Sequence, residues 1–276
     1  MESIEILKET SEPENKGNKN KSFKFKYLTQ KDKQTIKIFG TKFVENNLDK
    51  CNLIIDDNIN CELRDKYTFI QKGEHNISLV INEENINFNS IFSYPNNTNL
   101  IDVFSLENLD TSECVDLSFM FCGCQNIKDF NFVKNWDVSK CKNFNGIFIG
   151  CSFQNLDFLK NWKTSKATSL EYMFSGCKNL NDITGIKNRN VERVENFHSM
   201  FLGCESLFDV NDLQNWNMNK AKDIRLMFAR CQNLISADSL YKWKLNDYVN
   251  REQIFEGCNK LINVPRMFEN YSCSIY

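Results

Sequence analysis

The residues of this chain equipped for chemistry are twelve cysteines, two histidines and a recurrent aspartate. Cysteine and histidine together would suit a zinc site, and either could serve a nucleophilic mechanism. His75 and His198 are too few for a histidine-rich metal centre and a thin basis for acid–base catalysis. Cys122 and Cys124 form a close pair, yet no second pair or histidine completes a zinc set around them. No phosphate-binding glycine loop, dinucleotide fingerprint, G-x-S-x-G or H-E-x-x-H occurs. The expectation is a non-enzymatic chain with no catalytic residues, no cofactor, no metal and no small-molecule substrate.

The spacing of the cysteines says what they do instead. Cys124, Cys151, Cys177, Cys204, Cys231 and Cys258 recur at nearly equal intervals. Such a column reads as small buried thiols at one position of a repeat, reduced rather than paired. Reduced thiols point to a cytoplasmic or otherwise intracellular location. Residues Met1–Lys8 lack the basic start and apolar stretch of a secretory signal, and no run approaches a membrane span. The sequons at Asn76 and Asn96 then carry little weight in a chain with 39 asparagines among 276 residues. The net charge of −2 removes the global basic excess expected of a nucleic-acid binder.

The repeat itself is written in aromatic residues. Phe121, Phe148, Phe174, Phe201, Phe228 and Phe255 are separated by 27, 26, 27, 27 and 27 residues. Met or Ile precedes each, and a ladder cysteine follows three residues later. Twelve residues upstream stand Leu109, Trp136, Trp162, Arg189, Trp216 and Trp243. Counting from the apolar residue after each cysteine, positions 1, 4 and 7 are apolar and position 9 is asparagine in Asn108, Asn135, Asn161, Asn188 and Asn215. The 26-residue unit lost its extra residue between Cys151 and Phe153.

This pattern, L-x-x-L-x-x-L-x-N, resembles the leucine-rich repeat. The phrase from Trp162 through Ser165 to Met173-Phe174-Ser175-Gly176-Cys177 more closely resembles the bacterial-surface-protein (BspA-like) repeat family of 25–27 residues, in its protist and viral type. The resemblance covers about residues 91–268 and implies a fold, but no ligand. The expected architecture is an α/β solenoid, a leucine-rich-repeat-like parallel β-strand stack with short convex helices capped by Ser112, Ser139, Ser165 and Asn219. A small β-rich cap precedes it. Residues 1–22 form a disordered or partner-ordered tail, 23–83 the β-rich unit, 84–268 the repeats and 269–276 a C-terminal cap. Within 23–83, alternation marks strands near Phe23, Thr35, Asn52, Asn58 and Ile77, with a turn at Asp56-Asp57-Asn58.

An extended strand face is what such an array offers a partner. Position 3 carries Asp102, Asp129, Asp182 and Asp209, whose like charges would repel when stacked without an obvious benefit to folding. Phe104, Phe208, Ile101 and Ile235 are apolar anchors on the same face. The expected function is a protein-binding or scaffolding module that receives a basic segment along this line. The alternatives are a structural subunit held in a larger intracellular, multiprotein assembly and, less favoured, a surface adhesin. No nucleic-acid partner and no membrane span are expected.

Overall fold

The protein is described here from a computed structural model covering residues 21–95 and 97–271. Of the tail expected at 1–22, residues 1–20 lie outside the described residues. So do the sequon asparagine Asn96 and residues 272–276 of the expected C-terminal cap.

The chain begins with strands. β1 (Lys21–Thr29) alternates buried Phe23, Phe25 and Tyr27 with exposed lysines, so it presents one face to a core. β2 (Gln34–Lys37), helix α1 (Thr41–Asn47), β3 (Cys51–Ile55), β4 (Ile59–Glu62), β5 (Lys66–Phe69) and β6 (Gly73–Ile81) follow. A final strand, β7, spans Leu100–Asp102. The main sheet has the order β4-β3-β6-β1-β7, and β2 pairs with β5. All these pairings are antiparallel. The strands read from sequence alternation fall in β1, β2, β3, β4 and β6. β5 and α1 lack a clear period and escape that reading. The β3–β4 hairpin turns on Asp56 and Asp57, both at positive φ, the conformation that a tight hairpin demands. Edge strand β7 holds the first position-1 to position-3 residues, so the sheet runs directly into the first repeat.

Beyond β7 the structure corrects the expected fold class. No stack of parallel strands with convex helices forms. The one α-helix among the described residues is α1, and the extended sheets are the antiparallel ones. The repeats are turns, stacked side by side. Parallel pairing between them shrinks to isolated bridges, such as Asn155↔Asp182 and Asp209↔Ser236↔Asn263. The reason lies at position 4. Val103, Phe130, Leu156, Ile183, Val210 and Ala237 take φ of −135° to −105° with ψ of 11° to 24°. That bend leaves β space after one bridge and starts a 3-10 turn, for example Thr184–Ile186.

The missing helices have an equally local cause. Phe119, Tyr172, Ser199, Leu226 and Gln253, with Gly146, occupy one repeat position at φ of 54° to 58°. A left-handed residue mid-segment ends any right-handed helix. Backbone donors are spent differently. Leu117, Phe119, Phe121 and Gly123 give their N–H groups to carbonyls of Asn143, Asn145, Ile147 and Ile149 in the next unit, at 2.7–3.0 Å. The intervening residues bond back within their own unit, as Cys122 N–H does to Phe119 at 3.2 Å. Each later unit repeats this scheme.

The core is one continuous column. Phe92, Phe121, Phe148, Phe174, Phe201, Phe228 and Phe255 stack with centroids 5.5–6.1 Å apart and planes within 23°. Phe25 meets the first ring edge-on at 5.0 Å, and Phe268 meets the last at 5.7 Å. The ladder cysteines are buried beside it, and from Cys151 to Cys258 each Sγ donates to a phenylalanine carbonyl of the preceding unit, as Cys177 does to Phe148 at 3.1 Å. Indole N–H groups do the same one layer out: Trp136 to Leu106, Trp162 to Val133, Trp216 to Ile186 and Trp243 to Leu213, at 2.8–3.2 Å.

Candidate interaction face

Position 3 is the first column to test. Asp102, Asp129, Asp182 and Asp209 share one repeat position, half-buried or exposed, and Asp182 and Asp209 bridge to neighbouring units there. Each carboxylate accepts the N–H two residues on: Phe104 at 2.7 Å, Asn131 at 2.7 Å, Thr184 at 2.8 Å and Asn211 at 3.0 Å. Asn155, in the unit between Asp129 and Asp182, and Ser236, in the unit after Asp209, serve the same bond. These side chains tie the entrance of each 3-10 turn. The aspartate line therefore has a folding role, and repulsion along it is no longer without benefit. The Thr184 hydroxyl and N–H hold Asp182 below the usual carboxylate range.

Two further columns use the same device. Asp110, Asp137, Asn190, Asn217 and Asn246 each accept an N–H two residues on, as do Asp116, Asn143, Asn196, Asp223 and Asn250. Much of the asparagine in register is thus corner chemistry. The position-9 asparagines take no part in these bonds. They are exposed instead, and no hydrogen bond from their side chains is present among the described residues.

The two aromatic anchors separate. Phe104, 59% exposed, opens the first 3-10 turn at position 5, whereas Phe208, 51% exposed, is at position 2 of a unit far along the array. What joins Phe208 is a column that the sequence reading noted only in part. Ile235 and Ile262 follow it at the same position, 49% and 75% exposed. Their backbones are linked, Ile235 N–H to Phe208 at 3.0 Å and Ile262 N–H to Ile235 at 2.9 Å. Three large apolar side chains thus stack on adjacent units and face solvent, beside Asp209, Ser236 and Asn263. The corresponding residues of the three units before, Lys128, Gln154 and Asn181, are polar, and Ile101 of the first unit is half-buried in β7.

A second cluster went unread although its spacing shows it. Asn145, Glu171, His198, Arg225 and Glu252 are 26 or 27 apart and share one column. Glu171 meets His198 Nδ1 at 3.2 Å and accepts from Asn196 at 3.1 Å, while Arg225 pairs with Asp223 at 2.7 Å. The half-buried members, Asn145, Glu171, His198 and Arg225, are thus tied to neighbouring polar groups, while Glu252 is exposed.

The chemistry-bearing residues elsewhere are enclosed. Thr29 Oγ1, His75 and Asp56 line up at 3.2 Å and 2.9 Å, the order of a nucleophile, base and acid. Thr29 is 3% exposed and already accepts the Gly73 N–H at 3.1 Å, so no substrate reaches it. The eleven described cysteines are free. Burial pushes the Cys114 thiol up to about 11 and Cys141 to about 12, away from the thiolate that nucleophilic chemistry needs. Among the described residues no group of three histidine, cysteine or acidic side chains converges on a metal position. Arg189 replaces a tryptophan in its column and gives its guanidinium to the carbonyls of Trp162, Leu159 and Gly185. Burial draws its pKa down to about 10.

A core of 26- and 27-residue turn units, carrying an exposed apolar column and no open catalytic constellation among the described residues, defines a repeat protein. The family comparison gives that class its name. Residues 86–184 and 150–268 match, in overlapping registers, the family described as Mycoplasma protein of unknown function, DUF285, and the chain belongs to it. No curated protein and no solved structure matches the chain. No helix among the described residues is long and apolar enough to cross a membrane.

Proposed function

We propose that this chain is a non-enzymatic protein-binding module of the BspA-like repeat type, and that it receives a partner protein on the face bearing Phe208, Ile235 and Ile262. One observation carries the reading. Three consecutive units place a large apolar side chain in water at the same position, where the three units before them place polar ones. Isolated surface apolar residues are ordinary, but an aligned patch marks a contact surface. Asp182 and Asp209 beside it keep one carboxylate oxygen apiece beyond the turn bond, so the partner segment carries basic residues around an apolar centre.

Two variants of the full chain test this by co-purification from native cells. Phe208→Ser/Ile235→Ser/Ile262→Ser removes the apolar column. Asp102→Asn/Asp129→Asn/Asp182→Asn/Asp209→Asn removes the charge and keeps the turn bonds, since Asn155 makes the same bond at 3.1 Å. The parent retains a specific partner at physiological salt; the first variant loses it, and the second holds it more weakly at low salt. Identical partners on parent and both variants place the contact elsewhere.

A further inference from the structure

A cleft of about 700 Å³ lies between the segment that follows β6 and the first repeat. Its floor is apolar: Phe23, Phe88 and Leu109 are nearly buried, Ile86 and Cys114 are half-exposed, and Val115 is 50% exposed. Its size is that of a ligand site, and its place, where a sheet meets a different architecture, is where such sites concentrate.

The rim supplies the sign of the occupant. Glu83, Glu84, Asp110, Glu113 and Asp116 line it against one lysine, Lys21. Asp110 and Asp116 accept N–H groups of Ser112 and Ser118, and Glu113 pairs with Lys140. Glu83 and Glu84 are exposed and meet no cation among the described residues. The carboxylates are spread along the rim rather than gathered on a point, and no three converge as metal ligands. A bare divalent cation therefore suits the cleft poorly. A chain that lays apolar side chains on the floor and cations against the rim suits both surfaces.

We propose that this groove docks a segment of a partner protein in which basic and apolar side chains alternate. The site is separate from the Phe208 column and does not rest on the function proposed for it.

The probe is a short labelled peptide of alternating lysine and leucine, titrated by fluorescence anisotropy into the full chain. Controls alternate glutamate with leucine and lysine with serine. The lysine–leucine peptide binds, weakens as salt rises, and outcompetes both controls. Glu83→Gln/Glu84→Gln and, separately, Val115→Ser each weaken it about tenfold with an unchanged thermal midpoint, since each removes one of the two complementary surfaces. Ile235→Ser leaves it unaltered, which separates this groove from the other face. Absence of binding, equal binding of the lysine–serine peptide, or indifference to both groove variants overturns the proposal. Binding that appears only in a Lys16→Gln/Lys19→Gln chain also overturns it, because the groove then belongs to the chain's own residues ahead of Lys21.

Discussion

Phe174 is fully buried and touches its counterparts on both sides, Phe148 at 6.0 Å and Phe201 at 5.5 Å. Phe174→Ala removes a ring from the middle of the column and leaves a hole that two neighbours line. The expected loss is about 3–5 kcal/mol, read as a lower chemical-denaturation midpoint. An unchanged midpoint would contradict the buried column. The thiols make a second residue-scale prediction. Unfolded in the absence of reductant, the chain should titrate as twelve free thiols. Folded, the buried thiols pushed upward, such as Cys51 at about 11 and Cys141 at about 12, should alkylate far more slowly than a free model thiol at neutral pH. Mass spectrometry of timed quenches checks both. Core identity was legible in the sequence because the side chains at one register position share one environment. The Glu171–His198 pair obeys the same arithmetic, 27 apart, and was hidden only because its members differ chemically from unit to unit.

Among the elements, the segment from each tryptophan to the next cysteine is where sequence and structure part. Ser165 followed by Ala167, Leu170 and Phe174 has helical spacing, but Asp116, Asn143, Asn196, Asp223 and Asn250 stand inside the equivalent stretches. Asp and Asn compete for the backbone there and favour turns over helix. That warning was available in the sequence. The left-handed Phe119, Tyr172 and Leu226 were not, since bulky residues rarely adopt φ near 55°. Tertiary bonds to the next unit impose it. The strand was over-read for a related reason: an apolar position 4 fits a strand and a bend alike, and the 3-10 turn behind it decides. Gly185 shows how tight that turn is. A Cβ there would collide with the Leu156 carbonyl and the Asp157 nitrogen, both backbone. Gly185→Ala should therefore cost about 1–3 kcal/mol or more by overpacking, although alanine is the better residue in most contexts. A midpoint at or above that of the parent would refute the close approach.

For the whole molecule, the turn-tying carboxylates set an acid limit. Hydrogen bonds from Ser112 hold Asp110 below the ordinary carboxylate range, and those from Ser139 and Thr184 do the same for Asp137 and Asp182. Lys24 lowers Asp57; burial alone would raise Asp223, but its bonds to Arg225 outweigh that. A depressed folded value means that these groups stabilise the native state above their unfolded pKa, about 4, and lose that contribution as pH falls through the folded values. The denaturation midpoint should stay level from neutrality to about pH 5 and fall below about pH 4. A midpoint constant to about pH 3 would show that the turn bonds form equally well with neutral side chains. The candidate face was legible as a line of charge with scattered apolar anchors, Phe208 and Ile235 among them. That Phe208 and Ile235 continue into Ile262 as one uncovered column emerged only in the fold.

Along the phenylalanine column the bonds between units run one way, N–H of the earlier to carbonyl of the later, as from Phe174 to Met200 and from Phe201 to Met227, while bonds such as Ile235 N–H to Phe208 run back on other faces. Neighbouring partners are only 26 or 27 residues apart along the chain, so closing each new contact orders a short loop. During synthesis an emerged unit holds its donors ready, and the next completes it soon after leaving the ribosome. Assembly can thus advance in the direction of translation, one phenylalanine at a time, from a starting surface that the antiparallel sheet supplies through Phe25 and Phe92.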